Sequence, residues 1–577
     1  VGNLSVRLIK TKLVIVAATI GFAASAQELN LDASQATDTT VEGAASDLSG
    51  PSDAAVNAAK EANRAASKSI GGISQGGAST TSGPAEIPAR SGLTGKKQAR
   101  RAPLTFVLKD IIFTSSGYLT DEELAALKTQ LTGRRYRADD LQSILDQVTR
   151  LYAARNIALA QPLLTSVDPV NGVVEIELFE ARLGAIGFAS SNAREQYYRW
   201  RLGVQEGDLA DNRILDERLR RISATDGVQF DAGFNPGAER GFTDLKTKVK
   251  EPANFSGSVT ADNYGTESKG QARVIGTARI ASLTGWNDPL TVSLSGSEGS
   301  VGISTAYGRV IRPSGTLLSV SAGYDWSETI IAPVTRSDAF YGELALSEPV
   351  ILEQNRRLLL NGSATYFDEK SLIGAVPIVD QDGFFVGLGA TASWTGGNVS
   401  FVSTNGVRFA WYKNAILGED LLSLVLSGDT TLGYKVGPST TATLRGAWQL
   451  ALNDPAPSRL DFTVASPFAV RGYPVGLEGG GSGYFVRAQI EHAISANHLP
   501  DGFSLSPFAF VDIGEAFDLV GNAQIGQDFM ASAGVGMSAS FARRGFVEAF
   551  IAKPLVDAAG YDASGRMSVF VRGGLTF

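Results

Sequence analysis

Tyr484-Phe485-Val486-Arg487-Ala488-Gln489-Ile490 alternates along its length: Tyr484, Val486, Ala488 and Ile490 are apolar, and the residues between them are mostly polar. Successive side chains of an extended strand point to opposite faces, so this stretch offers one face to an apolar medium and the other to water. The pattern recurs on both sides. Val569, Val571, Leu575 and Phe577 share one parity and Ser568, Arg572 and Thr576 the other, while Leu318, Val320, Ala322 and Tyr324 stand opposite Ser319, Ser321 and Asp325. From Asn254 to Phe577 no helical periodicity survives, and short alternating segments are separated by Gly, Asp, Asn and Pro turns. At roughly 20 residues per strand with its share of turn, this region holds about 16 strands. An even number lets the sheet close, and a closed sheet satisfies every backbone N–H and C=O inside lipid. The competing reading is a large soluble sandwich or propeller.

Upstream the texture changes to small α+β units. A first unit begins with a strand over Phe106 to Phe113, followed by a helix in which Thr120 and Glu123 form a capping box, Leu124, Leu127 and Leu131 make one apolar face, and Gly133 ends the run. A second helix after Asp139 or Asp140 aligns Leu141, Ile144, Leu145, Val148, Leu151 and Tyr152. Strands over Ile157 to Leu163 and through Val174, Ile176 and Leu178 complete a β-α-α-β-β order. Residues 181–252 repeat the plan more loosely, with Ile186 and Phe188 in a first strand, helices around Tyr197 to Leu202 and Arg213 to Ile222, and Leu245, Thr247 and Val249 in a last one.

Residues 27–103 lack aromatic side chains and are rich in Ala, Ser, Gly, Thr and Asp, so they cannot bury a core and read as linker. Within them Asp53 to Ile70 is Ala-rich, charged and free of Gly and Pro, which predicts a polar helix. Residues 1–26 read as an export signal, with Arg7, Lys10 and Lys12 before an apolar Leu13 to Phe22 and a small-residue site at Ala24-Ser25-Ala26. No later run reaches the roughly 18 apolar residues of a membrane helix, so membrane insertion has to use strands. The 577 residues contain 64 Gly, three Met and no Cys, a composition that suits a β-rich protein of an oxidising compartment. A formal net charge of -8 argues against a nucleic-acid partner.

Enzyme chemistry finds little to use. Gly72-Ile73-Ser74-Gln75-Gly76 matches a nucleophile-elbow pattern but sits in linker, without the strand and helix that motif needs. His492 and His498 are the sole histidines, too few for a His-rich metal site, and His492 falls on the lipid-side parity at a strand end. No phosphate-binding loop is present, and neither a cofactor nor a metal is expected.

Three further motifs stand out: Val470-Arg471-Gly472-Tyr473 followed by the glycine-rich Gly476 to Gly483, Phe510-Val511-Asp512-Ile513-Gly514, and Asp262-Asn263 with Gly265 and Gly270. In order and spacing they resemble the transporter partner of two-partner secretion systems, the TpsB proteins of the haemolysin secretion/activation type, over nearly the whole mature chain. The resemblance implies a C-terminal transmembrane antiparallel β-barrel of about 16 strands over 253–577, preceded by two α+β POTRA-like domains at 104–180 and 181–252. It implies an outer-membrane channel of a Gram-negative bacterium that takes a large secreted cargo protein from periplasmic POTRA domains to the cell surface. It implies too that the helix over 53–70 plugs the channel, that Phe577 is read by the barrel assembly machinery, and that the first motif lies on a loop folded into the barrel. A barrel-assembly insertase of the same superfamily and a passive porin are the alternatives. Alternation then turns Ala509, Val511 and Ile513 to lipid and Phe510, Asp512 and Gly514 to the lumen, where the guanidinium of Arg471 can hold the Asp512 carboxylate through two parallel hydrogen bonds.

Overall fold

A computed structural model describes residues 105–577, apart from 138–139, 354, 495–498, 501, 521–522, 526–527 and 542–543. The export signal, the linker with its helix over 53–70, the Gly72–Gly76 motif and His498 therefore lie outside the described residues.

The first α+β module comprises β1 (Thr105–Val107), β2 (Asp110–Phe113), α1 (Asp121–Leu131), β3 (Arg135–Arg137), α2 (Leu141–Ala154), β4 (Ala160–Asp168) and β5 (Val173–Glu180). The capping box forms as its residues dictate: Thr120 Oγ1 accepts from the Glu123 N–H, and the Glu123 carboxylate accepts from that of Thr120. The strand expected over Phe106 to Phe113 is two strands, because the chain changes partner at Leu108. β1 pairs antiparallel with β3, whereas β2 runs parallel to β5. Ile157 is also not in a strand; its N–H bonds Tyr152 O after α2, and pairing starts at Ala160. The sheet order is β2-β5-β4.

The second module comprises β6 (Arg182–Ala189), α3 (Glu195–Leu202), α4 (Asn212–Asp226), β7 (Gln229–Pro236) and β8 (Phe242–Lys250). Its sheet, β6-β8-β7, repeats the first: the first strand lies parallel to the last, and the middle one antiparallel. Asp211 caps α4 through the N–H groups of Arg213 and Ile214, and Gly203 and Gly227 end the two helices in the left-handed conformation.

The remaining chain forms a closed antiparallel barrel. Its strands are β9 (Phe255–Asp262), β10 (Arg273–Ile280), β11 (Leu290–Ser297), β12 (Ser300–Val310), β13 (Leu317–Glu328), β14 (Thr335–Leu352), β15 (Arg356–Ile373) and β16 (Val376–Gly396). They continue with β17 (Val399–Asn414), β18 (Glu419–Gly437) and β19 (Thr440–Asn453). Two short strands, β20 (Phe462–Thr463) and β21 (Gly479–Gly480), pair with each other away from the wall. Then come β22 (Ser482–His492), β23 (Phe503–Val520), β24 (Ala523–Ile525), β25 (Met530–Phe541), β26 (Gly545–Pro554) and β27 (Ser568–Thr576). β24 is a short strand at the end of β23, which itself bonds directly to β25, so among the described residues 16 strands make the wall. Parity is as the residues require: Val511 is 51% exposed and Val569 57%, whereas Asp512 and Asp325 are fully buried on the inner side.

The barrel closes where β27 meets β9 over five residue pairs, Arg572↔Asp262 to Thr576↔Ser258, against eighteen between β15 and β16. Asn263 extends this short seam with its side chain, donating from Nδ2 to Val569 O and accepting from the Val571 N–H. β9 follows the second module directly, which sets the end of each strand that lies nearest that module.

That module is built into the barrel. Val310 lies in its core cluster, and Trp286 and Leu317 pack against it. Arg201 forms a fully buried ion pair with Asp226 (Nη2–Oδ1 2.9 Å) and also donates to the carbonyl of Pro313 in the turn between β12 and β13. Trp286, in the turn between β10 and β11, meets Tyr197 and Trp200 edge-on at 5.8 and 5.9 Å. Gly315, with φ +104°, leaves room for Thr225, whose Cγ2 would lie 2.7 Å from a side chain there.

Candidate functional site: a loop pinned inside the barrel

The connection between β19 and β22, residues 454–481, leaves the outer end of the barrel and turns back into the lumen. β20 and β21 give it a short hairpin, and Ser466 Oγ accepts from the N–H groups of Phe468 and Ala469, reversing the chain before Val470. Val470, Arg471, Gly472 and Tyr473 thereby reach the inner wall.

All four are fixed there. Arg471 donates to Asp512 of β23 twice from its side chain, Nε–Oδ2 at 2.7 Å and Nη2–Oδ1 at 2.8 Å, and once from its backbone N–H at 3.2 Å. Its Nη1 donates to Gln489 Oε1 at 3.0 Å, and its Cζ stands 3.3 Å from the ring centre of Phe510. Gly472, at φ +98°, occupies backbone space closed to other residues; a Cβ there would also meet Ala552 Cβ at 3.1 Å. Ser568 Oγ donates to Gly472 O at 2.6 Å. The Tyr473 hydroxyl accepts from the Ala531 N–H at 3.2 Å and reaches Val556 O at 2.7 Å.

The three residues of the strand motif act on the same loop. Phe510 is the aromatic plate beneath the guanidinium, Asp512 its counter-charge, and Gly514 the clearance: a Cβ at Gly514 would lie 2.9 Å from both Val464 and Val470. Phe510 itself lies across Gly534 of β25, where a Cβ would stand 2.4 Å from its Cζ. Arg487 adds a second cation, 3.8 Å from Asp512, and holds Phe468 O at 2.6 Å. Arg471 and Asp512 are 2% and 0% exposed, so water does not weaken the bidentate pair; taking away one partner of such a pair costs about 3–5 kcal/mol.

A second anchor escaped the sequence reading. Ser458 Oγ donates to Glu369 Oε2 at 2.6 Å and its N–H to Gln381 Oε1 at 3.0 Å, while Arg459 Nη1 stands 3.3 Å from Glu369 Oε1. The Arg459 guanidinium lies 4.2 Å from the ring centre of Tyr341, and the Tyr412 hydroxyl donates to Pro455 O at 2.8 Å. The signal was present: Glu369 shares the inward parity of its strand, as Asp512 does of its own, and Arg459 is a basic residue on the same loop. The loop therefore ties the β14–β17 wall to the β23–β27 wall across the lumen.

The remaining motif residues serve the seam. Asp262 accepts from Arg273 Nε at 2.9 Å and from the Tyr264 N–H at 3.0 Å, and Gly265 lets the Gly270 carbonyl approach to 2.1 Å of where a Cβ would sit. Phe577 exchanges backbone hydrogen bonds with Gly257 (2.8 and 2.9 Å) and lays its ring over that glycine. His492 is exposed at the end of β22 with Thr440 Oγ1 2.8 Å from Nδ1. No group of acidic, histidine or cysteine side chains able to hold a metal occurs among the described residues.

Residues 241–309, spanning β8 to most of β12, match the family model described as haemolysin secretion/activation protein ShlB/FhaC/HecB. The heme/hemopexin transporter protein HuxB of Haemophilus influenzae is 25% identical over 244 residues, 41% of this chain and 42% of that protein. The outer membrane transporter CdiB of Dickeya dadantii is 24% identical over 188 residues, 33% of either chain. The matched stretches thus span less than half the length of these relatives. In fold the likeness is longer: CdiB from Escherichia coli superposes with a TM-score of 0.65 over 92% of this chain and 99% of that one, at 17% identity.

Proposed function

We infer that this chain, a two-partner secretion transporter of the haemolysin secretion/activation family, receives a large partner protein in the periplasm and exports it through its barrel to the cell surface. It lies in the outer membrane, with its two POTRA-like modules in the periplasm. The observation that carries the reading is the loop of residues 454–481, held across the lumen by a buried bidentate pair and backed by a module fused to the periplasmic turns. A passive pore has no use for either device; a conduit that must stay shut until cargo arrives needs both.

The cargo partner is a secreted protein of the TpsA type, met in extended form. The sheet orders leave β2 and β4 at the edges of the first sheet and β6 and β7 at those of the second. An extended segment can add to such an edge through main-chain hydrogen bonds with little demand on sequence. Phe577 at the seam is the residue offered to the barrel assembly machinery. The helix over 53–70 serves as a resting plug, and the chain works as a transporter without a catalytic step of its own.

Deleting this chain abolishes the appearance of the partner protein outside the cell while that partner still accumulates in the periplasm. Undiminished secretion in a cell lacking the chain overturns the export reading.

A further inference from the structure

The barrel wall is uneven in height. β14–β18 run for 16 to 21 residues each, against 8 to 12 in β9–β13, and about 9–11 residues suffice for a strand to cross lipid. The surplus stands at the outer end, as rows of outward-facing side chains show. Tyr366, Phe384 and Trp411 lie directly opposite one another across β15–β17 and form an aromatic belt. Beyond them Asp368, Asp382, Lys413 and Asp420 stand in direct register, followed by the ion pair of Lys370 with Asp380.

Above this band of charge the chemistry reverses. No residue of 329–334, 371–379 or 414–418, which form the crests of the hairpins β13–β14, β15–β16 and β17–β18, carries a charge. Ile331, Val376 and Leu417 are 53%, 64% and 60% exposed there, and Ile330, Val334, Ile373, Ile378 and Ile416 are exposed around them. Crests in water ordinarily take Gly, Asn and Asp. Register joins the three into one rim: Thr335 pairs with Ile373 and Ile373 with Val376, which brings Val334 to the second crest, and the Ala415 N–H bonds Asp380 O, which sets Ile416 beside the strand carrying Ile378. A contiguous aliphatic surface in water, separated from lipid by charge, marks a site for protein contact.

Its position names the partner. The inner face of the same wall carries the outer end of the 454–481 loop: the Tyr412 hydroxyl donates to Pro455 O, and Asp454 Oδ2 accepts from the Leu422 N–H at 2.7 Å. A chain leaving the lumen past that loop meets the raised wall first. It arrives extended, with apolar side chains that have no core to enter, and burying them against other apolar groups is favourable. We propose, on the basis of the export reading, that this rim receives the emerging partner protein: apolar side chains of an extended segment rest on Ile331, Val376 and Leu417 until the partner buries them in its own fold.

The test uses the full chain in cells. The partner is identified as the protein that disappears from the outside when this chain is deleted, and is then epitope-tagged. A photoreactive benzoylphenylalanine placed at Ile331, Val376 or Leu417 forms an adduct with the tagged partner during export, whereas the same probe at Val535, on the lipid face of β25, does not. The Ile331→Asn, Val376→Asn, Leu417→Asn variant still exports the partner, which becomes protease-resistant at the surface severalfold more slowly; Ile331→Val, Val376→Ile, Leu417→Ile keeps the wild-type rate. A partner that appears outside without adducts at the rim, or that matures equally fast from the asparagine variant, overturns the platform and leaves export standing. A partner outside cells that lack this chain overturns export, and the platform with it. Should the asparagine variant fail to reach the membrane, the adducts of the single-probe chains decide.

Discussion

At the scale of single residues, the seat of the loop works because three positions on one strand supply three different things: a plate, a charge and a gap. The pairing of Arg471 with Asp512 was legible beforehand because alternation turns Asp512 inward and the family resemblance puts Arg471 on a glycine-rich loop folded into the barrel. The parts played by Phe510 and Gly514 were not legible, because they depend on which loop atoms arrive above the wall, and nothing in a strand pattern encodes that. Arg471→Ala and Asp512→Ala each strand one buried charge and weaken the loop's seat by about 3–5 kcal/mol. Export is then lost while heat-modifiable, folded barrel persists in the outer membrane; wild-type secretion in both variants refutes the pair's role. Arg471→Lys does not restore it, since an ammonium cannot make two parallel bonds or lie flat on Phe510.

Among the elements, the module helices and their caps followed directly from local chemistry, as the capping box at Thr120 illustrates. What failed was the continuous strand through Phe106 to Phe113, since apolar residues running through Leu108 do not reveal that the backbone trades β3 for β5 there. The link between β8 and β9 also carries a titratable fastening. Glu251 accepts from the N–H groups of Ser191, Asn192 and Ala193 at 2.7, 2.6 and 2.9 Å, from Ser191 Oγ, and from the Tyr198 hydroxyl at 2.8 Å. Burial works to raise its pKa, but the backbone donors at Ala193 and Asn192, with Tyr198 and Ser191, outweigh it and hold the carboxyl below its usual range. A depressed folded pKa means stability that is fully present above the ordinary carboxylate range and lost as pH falls through the lowered value. Proteolytic resistance of the second module should therefore decline on acidification below the usual Glu range, and Glu251→Gln should be weaker at neutral pH and flatter across that window. Parallel pH profiles for the two proteins contradict the assignment.

For the molecule as a whole, a barrel of 16 strands could be counted from residue number and turn spacing, but its internal bracing could not, because Ser458, Arg459 and Glu369 are ninety residues apart at most and meet only once the wall has curved round. Deleting residues 53–70 should raise conductance in planar bilayers, and unchanged conductance removes the plug. The merger of the second module with the turns at Trp286 and Pro313 has a practical corollary for anyone grafting such modules between barrels of this fold. A splice placed at 252, where composition changes, would cut through a shared interior and leave Trp286 and Arg201 facing strangers. A chimera should instead carry the hairpins through β13 along with the second module, so that Val310, Trp286 and Leu317 keep the core they pack against.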